Sequence, residues 1–515
     1  MALKQLLAVK SLDALARDSE EPSHQLKRAL GPVQLTALGI GAIIGAGIFS
    51  SVGSAAAGGA DHLGAGPAVA LSFVLTAVAC GFAALCYMEF AAMVPLAGSA
   101  YTYAYATLGE LIAWIIGWDL ILEYAVGNVA VAVSWSGYFQ ELLRGFGLEW
   151  PRWLGTDFRS AGQAARELAA TVAAHGDISA LSPVVIRAAD AHNAAPHIFG
   201  VPIIVDLPAF LIVAFITWVL VRGIRESAWL NSAMVGLKLV IIAFFVIVGA
   251  YYVKPANWTP FAPNGFAGIK SAAAIIFFAY IGFDAVSTAA EETRNPQRDM
   301  PIAMMASLII CTVIYILVAI VLTGLLRWDQ LGTAEPLATA FSALGMNWAA
   351  GIISIGAVFA TTSVLVVFQL GQPRIFFSMA RDGLLPQWAA KVHPKYRTPH
   401  VTTIITGLAV ATFASFMNIN EVVELTNIGT LFAFVLVAIG IVILRHTNPD
   451  RHRPFRTPFV PVVPALAVVM CTYLMFQLPT VTWVRFFVWL AIGLLVYFFY
   501  GVRHSVLRER AKPVA

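Results

Sequence analysis

Charge is what this 515-residue chain has least of: Asp, Glu, Lys and Arg make up 12% of it, against 59% hydrophobic residues. A soluble domain carries about twice that share of charge. The apolar runs recur from residue 33 to residue 503 without a break, so one membrane domain fits better than several soluble ones. Cysteine is scarce as well. Cys80, Cys86, Cys311 and Cys471 all sit in apolar runs and make no CxxC pair, which argues against a zinc site or a disulfide framework. No GxxxxGK[ST] loop occurs, so a nucleotide-driven pump is excluded, and no TVGYG-type filter supports a channel. The ten histidines (His24, His62, His175, His192, His197, His393, His400, His446, His452 and His504) fall in loops or at span edges. A haem or di-iron membrane enzyme needs histidines facing one another inside the bundle. No metal, cofactor or nucleic-acid partner is expected.

What the chain does have is long apolar segments. A helix needs about 20 apolar residues to cross a ~30 Å hydrocarbon layer. Runs of that kind lie near 34–56, 67–90, 110–138, 204–222, 227–252, 266–290, 302–325, 348–372, 400–417, 421–444, 458–477 and 481–502, giving about 12 transmembrane helices. Basic residues collect in cytoplasmic loops. With the amino terminus inside, 22 of the 32 Lys and Arg lie on the inner side, nine outside, and Lys238 within a span. Five of the outer nine share one long loop, 141–203, where charge orients weakly. Both termini are therefore expected in the cytoplasm. The first 32 residues carry Lys4, Lys10, Arg17, Lys27 and Arg28 without a long apolar core, as a tail does and a signal peptide does not. Ser160–Ala174, inside the long loop, reads as an amphipathic external helix, and the loop histidines are spaced too irregularly for a metal site.

Two spans are poor helix by composition. The first contains Gly39, Gly41, Gly45 and Gly47, each costing about 1 kcal/mol relative to alanine in a helix. An unwound segment at membrane depth must line a cavity or be buried in protein, and its freed N–H groups suit a carboxylate. The same glycines also fit a small-residue packing face, and composition leaves both readings open. Span 6 places Phe277, Phe278 and Tyr280 around a small-residue step at Gly282, with Asp284 just beyond. It opens a second set of five spans as span 1 opens the first, and paired irregular spans at matching positions point to a transporter's midplane site.

Ionisable residues inside spans come next. Lys238 is about 11 residues from either end of Ser227–Val253, roughly 16 Å deep, whereas a lysine stem snorkels only about 6 Å. An amine at that depth needs partners or gives up its proton, so it is a proton carrier, a fixed cation or half of a structural ion pair. Glu123 lies midway through span 3 with Asp119 one turn earlier on the same face, where two charged carboxylates repel. Asp284 is less deep. At the inner mouth, Glu291, Glu292, Arg294, Arg298 and Asp299 are either ion pairs of a cytoplasmic gate or a solvated loop before a proline-started helix.

These stretches resemble the amino acid–polyamine–organocation superfamily, and within it the bacterial relatives of cationic amino acid transporters. The matching residues are His24-Gln-Leu-Lys27-Arg28-Ala-Leu-Gly31-Pro32 leading into GIGAIIGAGIF, Gly98-Ser99-Ala100-Tyr101, and Gly117-Trp118-Asp119-Leu120-Ile-Leu-Glu123-Tyr124. FFAYIGFDAVSTAAEETRNPQRDMP from Phe277 and GQPRIFFSMARDGLLP from Gly371 complete the set, so the similarity covers nearly the whole chain. The loop 141–203 is longer than in compact bacterial members.

The resemblance implies an all-α integral membrane protein with a five-plus-five inverted repeat, a leucine-transporter-like fold in which helices 1 and 6 are broken. Its parts would be a tail 1–33, a first repeat 34–252, a second repeat 253–444, two extra helices in 445–503 and a tail 504–515. It further implies a carrier of amino acids across the cytoplasmic membrane, by proton symport or, alternatively, by exchange. The substrate carboxylate would meet backbone at Gly45, Ala46 and Gly47, and its amine carbonyls of spans 1 and 6, with Ile43, Ala279, Tyr280 and Gly282 around it and Phe278 as an aromatic gate. Lys238 would stand where sodium-coupled relatives hold an ion, against span-1 carbonyls and the hydroxyls of Thr361, Thr362 or Ser363. Glu123 and Asp284 are further coupling candidates. The partners implied are the amino acid, protons and the lipid bilayer, with a small accessory subunit left open.

Overall fold

The computed structural model describes residues 30–59, 62–93, 99–173, 183–222, 228–396 and 398–510, together with Val9 and Leu181. The amino-terminal tail with its basic residues, Gly98, Arg225 and the last five residues lie outside the described residues.

In a hydrocarbon medium every backbone N–H and C=O must be paired inside its own segment, and a helix does this. The chain is accordingly helical almost throughout. Its helices are α1 (Pro32–Ile43), α2 (Gly47–Ala57), α3 (Val69–Met93), α4 (Ser99–Thr107), α5 (Glu110–Gly145), α6 (Phe158–Ala173), α7 (Pro183–Ala194), α8 (Leu207–Arg222) and α9 (Ala228–Ala250). The second half adds α10 (Gly265–Ile276), α11 (Pro296–Leu325), α12 (Pro336–Ala343), α13 (Asn347–Arg381), α14 (His400–Phe416), α15 (Ile419–Thr447), α16 (Val462–Met475) and α17 (Thr480–Arg508). Among the described residues, eight helices are long and apolar enough to cross a membrane, and the bent pair α1–α2 makes a ninth span. Three shorter apolar helices, α8, α14 and α16, fall where the remaining apolar runs were expected.

Burial divides each helix into two stripes. In α11, Met304, Leu308, Cys311 and Tyr315 are buried, whereas Ile309, Val313 and Leu317 are exposed at i, i+4 spacing. Apolar side chains pointing outward along a span are a lipid-facing surface. The inner stripes place α11 on α3 and α1, α13 on α5, and α9 between α1, α11 and α13.

Four expected boundaries move by six residues or more. α5 runs to Gly145 rather than 138 and α17 to Arg508 rather than 502, while α11 starts at Pro296 rather than 302 and α13 runs to Arg381 rather than 372, the last two continuing past the apolar stretch while still burying residues such as Asp299 and Met379. The external loop also holds more than the expected helix. α6 packs on α7, and a short hairpin pairs His197–Ile198 with Val201–Pro202. Ala161, Ala195 and Ile204, with Trp153 against them, give this unit a small core of its own. Alanine-rich helices with so few large apolar residues leave little periodicity to read.

Near the C-terminal end of α3, Glu89 is fully buried and accepts two bonds from Arg445 of α15, both at 2.8 Å. Arg453 lies 3.1 Å from the same carboxylate, and the Thr457 amide donates to it at 2.8 Å. Removing one partner of such a pair leaves an uncompensated buried charge, at a cost of about 3–5 kcal/mol. Glu89→Ala should therefore lower the unfolding temperature in detergent far more than Asp329→Ala, whose 3.1 Å pair with Arg327 is largely exposed. Equal melting temperatures would contradict the assignment.

Candidate functional site

α1 stops because Ile44 leaves the helical region (φ −75°, ψ 100°), and winding resumes after Ala46 as a π turn over Gly47–Ser51. The two pieces meet at 43°. A helix end leaves up to four carbonyls free and a helix start four N–H groups. Here both sets lie inside the bundle, since every residue from Gly41 to Ser51 is buried.

Side chains from other helices claim the freed carbonyls. Lys238 of α9, 1% exposed, donates from Nζ to Gly41 O at 2.7 Å and to Ile44 O at 3.2 Å. Tyr315 of α11 brings its hydroxyl to Ile43 O at 3.0 Å and Ala279 O at 2.9 Å, sharing one proton between the two irregular segments. At the start of α2 the Ile48 and Phe49 amides turn back onto Gly45 O, both at 3.2 Å, and a helix start carries a partial positive charge that suits an anion.

The second irregular segment is built alike. α10 gives way at Phe277–Tyr280 to 3₁₀ winding, Ile281 is extended (ψ 134°), and Gly282 takes φ 115°. That backbone region belongs to glycine, and a Cβ there would also press on the Ala42 backbone at 2.9 Å. Winding resumes as a 3₁₀ helix over Asp284–Glu292. Asn427 of α15 donates through Nδ2 to Ala274 O at 2.7 Å and Ile275 O at 3.1 Å.

The two segments touch. A Cβ on Gly47 would overlap the backbone of Ala279, and one on Gly45 would come within 2.8 Å of Val364 on α13. Gly39, one turn inward from the break, packs against Ser307 and Val286. The unwound reading and the packing reading of these glycines therefore both hold, at different positions. Phe278 and Tyr280 are buried beside this contact, as are Ile43 and Ala46. On the α2 side of the break, the Tyr138 hydroxyl donates to Phe49 O, while the Ser50 hydroxyl pairs with Ser134 and with the Ala334 carbonyl. These bonds close a lid one turn above Gly47.

Of the expected coupling residues, the structure assembles some differently. The Thr361 hydroxyl donates to Ala357 O and the Thr362 hydroxyl to Val358 O, both at 2.6 Å, and Thr362 also accepts from Trp135 Nε1 at 2.9 Å. The described bonds of Lys238 run to backbone carbonyls and not to these hydroxyls. Glu123 lies in a π turn, Leu122–Val126, and Asp119 one turn earlier still acts on it electrostatically. Its carboxyl also meets Asp284, with Thr430 in reach. Carboxylates only accept, so this contact needs a proton between them. Asp119 and the Oδ1 of Asp284 are buried without a hydrogen-bond partner.

At the segment expected to form the inner mouth, the Arg294 amide donates to Leu30 O at 2.9 Å, tying it to the start of α1. The side chains of Glu291 and Glu292 lie outside the described residues, and with them the expected gate pairs. Sequence reasoning missed Tyr315, Asn427, Tyr138 and Ser134. Each is an uncharged polar side chain inside a span, and extending the attention given to intramembrane charges to amides and hydroxyls would have found them.

Residues 30–499 match the model of a family described as amino acid permease. A branched-chain amino acid permease of Bacillus subtilis (strain 168) is 46% identical over 498 residues, covering 96% of this chain and 97% of its own. A methylthioribose transporter of the same bacterium is 42% identical over 507 residues, covering 98% and 100%. A vacuolar cationic amino acid transporter 4 of Arabidopsis thaliana is 30% identical over 627 residues, covering 98% and 97%.

The backbone contact at Gly47 makes a direct prediction. Gly47→Ala forces the two irregular segments apart and should destabilise the purified protein by about 1–3 kcal/mol, the usual cost of overpacking. Gly81→Ala, where nothing lies within 4 Å of the added carbon, should leave the thermal melt unchanged or raise it. A Gly47→Ala melt matching the wild type would show that the contact is loose.

Proposed function

The chain belongs to the amino acid permease family, and from that premise we propose that it carries amino acids across the cytoplasmic membrane together with protons, by alternating access. Family membership makes it a multi-pass membrane transporter rather than an enzyme. The finer reading takes α1–α9 and α10–α15 as two inverted five-span repeats, α16 and α17 as additions, and both termini as cytoplasmic.

One observation carries the coupling: the Lys238 ammonium holds two carbonyls at the break of α1. A cation there binds α9 to α1. Loss of its proton removes the charge and weakens both bonds, so α9 is released from α1 and the bundle can reopen on the other side. The amino acid sits between the two irregular segments. Its carboxylate takes the N–H groups at Gly45, Ala46 and Gly47, and its ammonium takes carbonyls near Ile43 and over Phe278–Tyr280, with Gly282 leaving room for the turn. Phe278 covers it. The Glu123–Asp284 pair is a second place to hold a proton.

The same pair bears on specificity. A pocket carboxylate would favour lysine or arginine, but Glu123 is engaged by Asp284 and Thr430. A neutral apolar amino acid fits this better, in keeping with the relative named as a branched-chain permease. Because another relative is named for methylthioribose, that compound belongs in the competition series.

The test is uptake of radiolabelled leucine and lysine into proteoliposomes, with and without an inward proton gradient, into empty or preloaded vesicles. Gradient-dependent accumulation of leucine into empty vesicles is expected. Uptake that requires preload and ignores the gradient would make the protein an exchanger and overturn symport. Lys238→Ala should lower gradient-driven accumulation about tenfold or more, equivalent to about 1.4 kcal/mol. Unchanged accumulation would remove the lysine from the coupling mechanism.

A further inference from the structure

Beyond the lid above Gly47 lies a cavity of about 300 Å³ on the outer side. That is the lower end of the range for small-molecule sites, and large enough for one amino acid. Its floor is α2. Ser51 lines it and stands four residues after Gly47, or about 6 Å along a helix axis. The walls are Arg144 at the end of α5, Arg187 and Ala188 of α7, Glu335 before α12 and Asn420 of α15.

Three features make this more than a gap between loops. Both signs of charge line it and face each other: Arg144, held through Nη1 by Glu141 at 2.8 Å, brings Nη2 to 3.9 Å from the Glu335 carboxylate, at the limit of an ion pair, and Arg187 also acts on Glu335. Ser51, 3% exposed, is in the lining, and its buried Oγ has no hydrogen-bond partner. A buried hydroxyl left unpaired is costly, and a ligand that bonds it recovers that cost. Finally, one wall comes from the external unit, in the long loop, so that unit completes the chamber over the transport path.

We propose that this outer cavity is a second amino acid site, an antechamber that holds the zwitterion before the lid opens. The carboxylate faces Arg144 and Arg187, the ammonium faces Glu335, and Ser51 supplies a further hydrogen bond. The ligand class rests on the transport reading above. Opposite charges a few ångströms apart match the fixed spacing of an amino acid's two charged groups. The loosely closed Arg144–Glu335 pair can part to admit them.

The test uses the full chain in proteoliposomes. The four native cysteines are buried, so Ala188→Cys offers one accessible thiol to an impermeant methanethiosulfonate reagent. Leucine should slow labelling, with a half-protection concentration distinct from the half-saturation of transport measured in the same vesicles. Adding Arg144→Gln should raise the half-protection concentration about fivefold or more, the charge-assisted bonds to the carboxylate being lost. Protection that tracks transport saturation and is unmoved by Arg144→Gln, or no protection at all, overturns the site. Transport without protection overturns the antechamber alone, whereas absence of transport of any amino acid overturns the functional reading and the antechamber with it.

Discussion

An ammonium group holding two backbone carbonyls is the interaction on which the rest of this structure depends. The broken helix α1–α2 frees polar backbone where no water is available, and an unmet carbonyl there costs about as much as a lost hydrogen bond. Lys238 meets two of them from α9. The lysine in turn is tolerable in the membrane because those carbonyls surround its charge. Each side of the contact would be costly without the other, and the bond that satisfies both is one whose strength depends on a proton.

Around that bridge the protein repeats one device. Tyr315 spans the carbonyls of the two irregular segments, Asn427 takes the end of α10, and Tyr138 takes Phe49 at the outer lid. Each comes from a different span, so the broken helices are held by the helices packed around them. A scaffold of α3, α11 and α15 fixed by its own buried pairs, such as Glu89 with Arg445 and Arg453, lets the centre carry irregular backbone. The parts able to move are those whose polar contacts are few and specific.

Much of this was legible in the residues. Apolar runs located the long spans though not the short helices α4, α7 and α12, and the glycines at 39, 41, 45 and 47 marked the break, because helix propensity and hydropathy are local quantities. Lys238 stood out by depth alone. The pairing of Glu123 with Asp284 did not, since a π turn at Leu122–Val126 rotates the face that an ordinary helix would present. Thr361 and Thr362 bond within their own helix, a choice that depends on rotamer rather than on sequence. Gly47 was read as a donor of backbone N–H groups, and it proves also to be the point where two segments of the chain meet without room for a Cβ. Long-range contacts of this kind leave no trace in one sequence.

The external unit extends the account beyond the membrane: its helices wall a charged chamber directly above the lid. The central claim remains the proton held by Lys238 against α1. Its most direct test is to count protons and leucine molecules entering the same proteoliposomes, with a trapped pH dye and a radiolabel read together. A fixed ratio of protons to leucine, lost on replacing Lys238, is the result this account predicts. Leucine entry with no accompanying proton movement would contradict it.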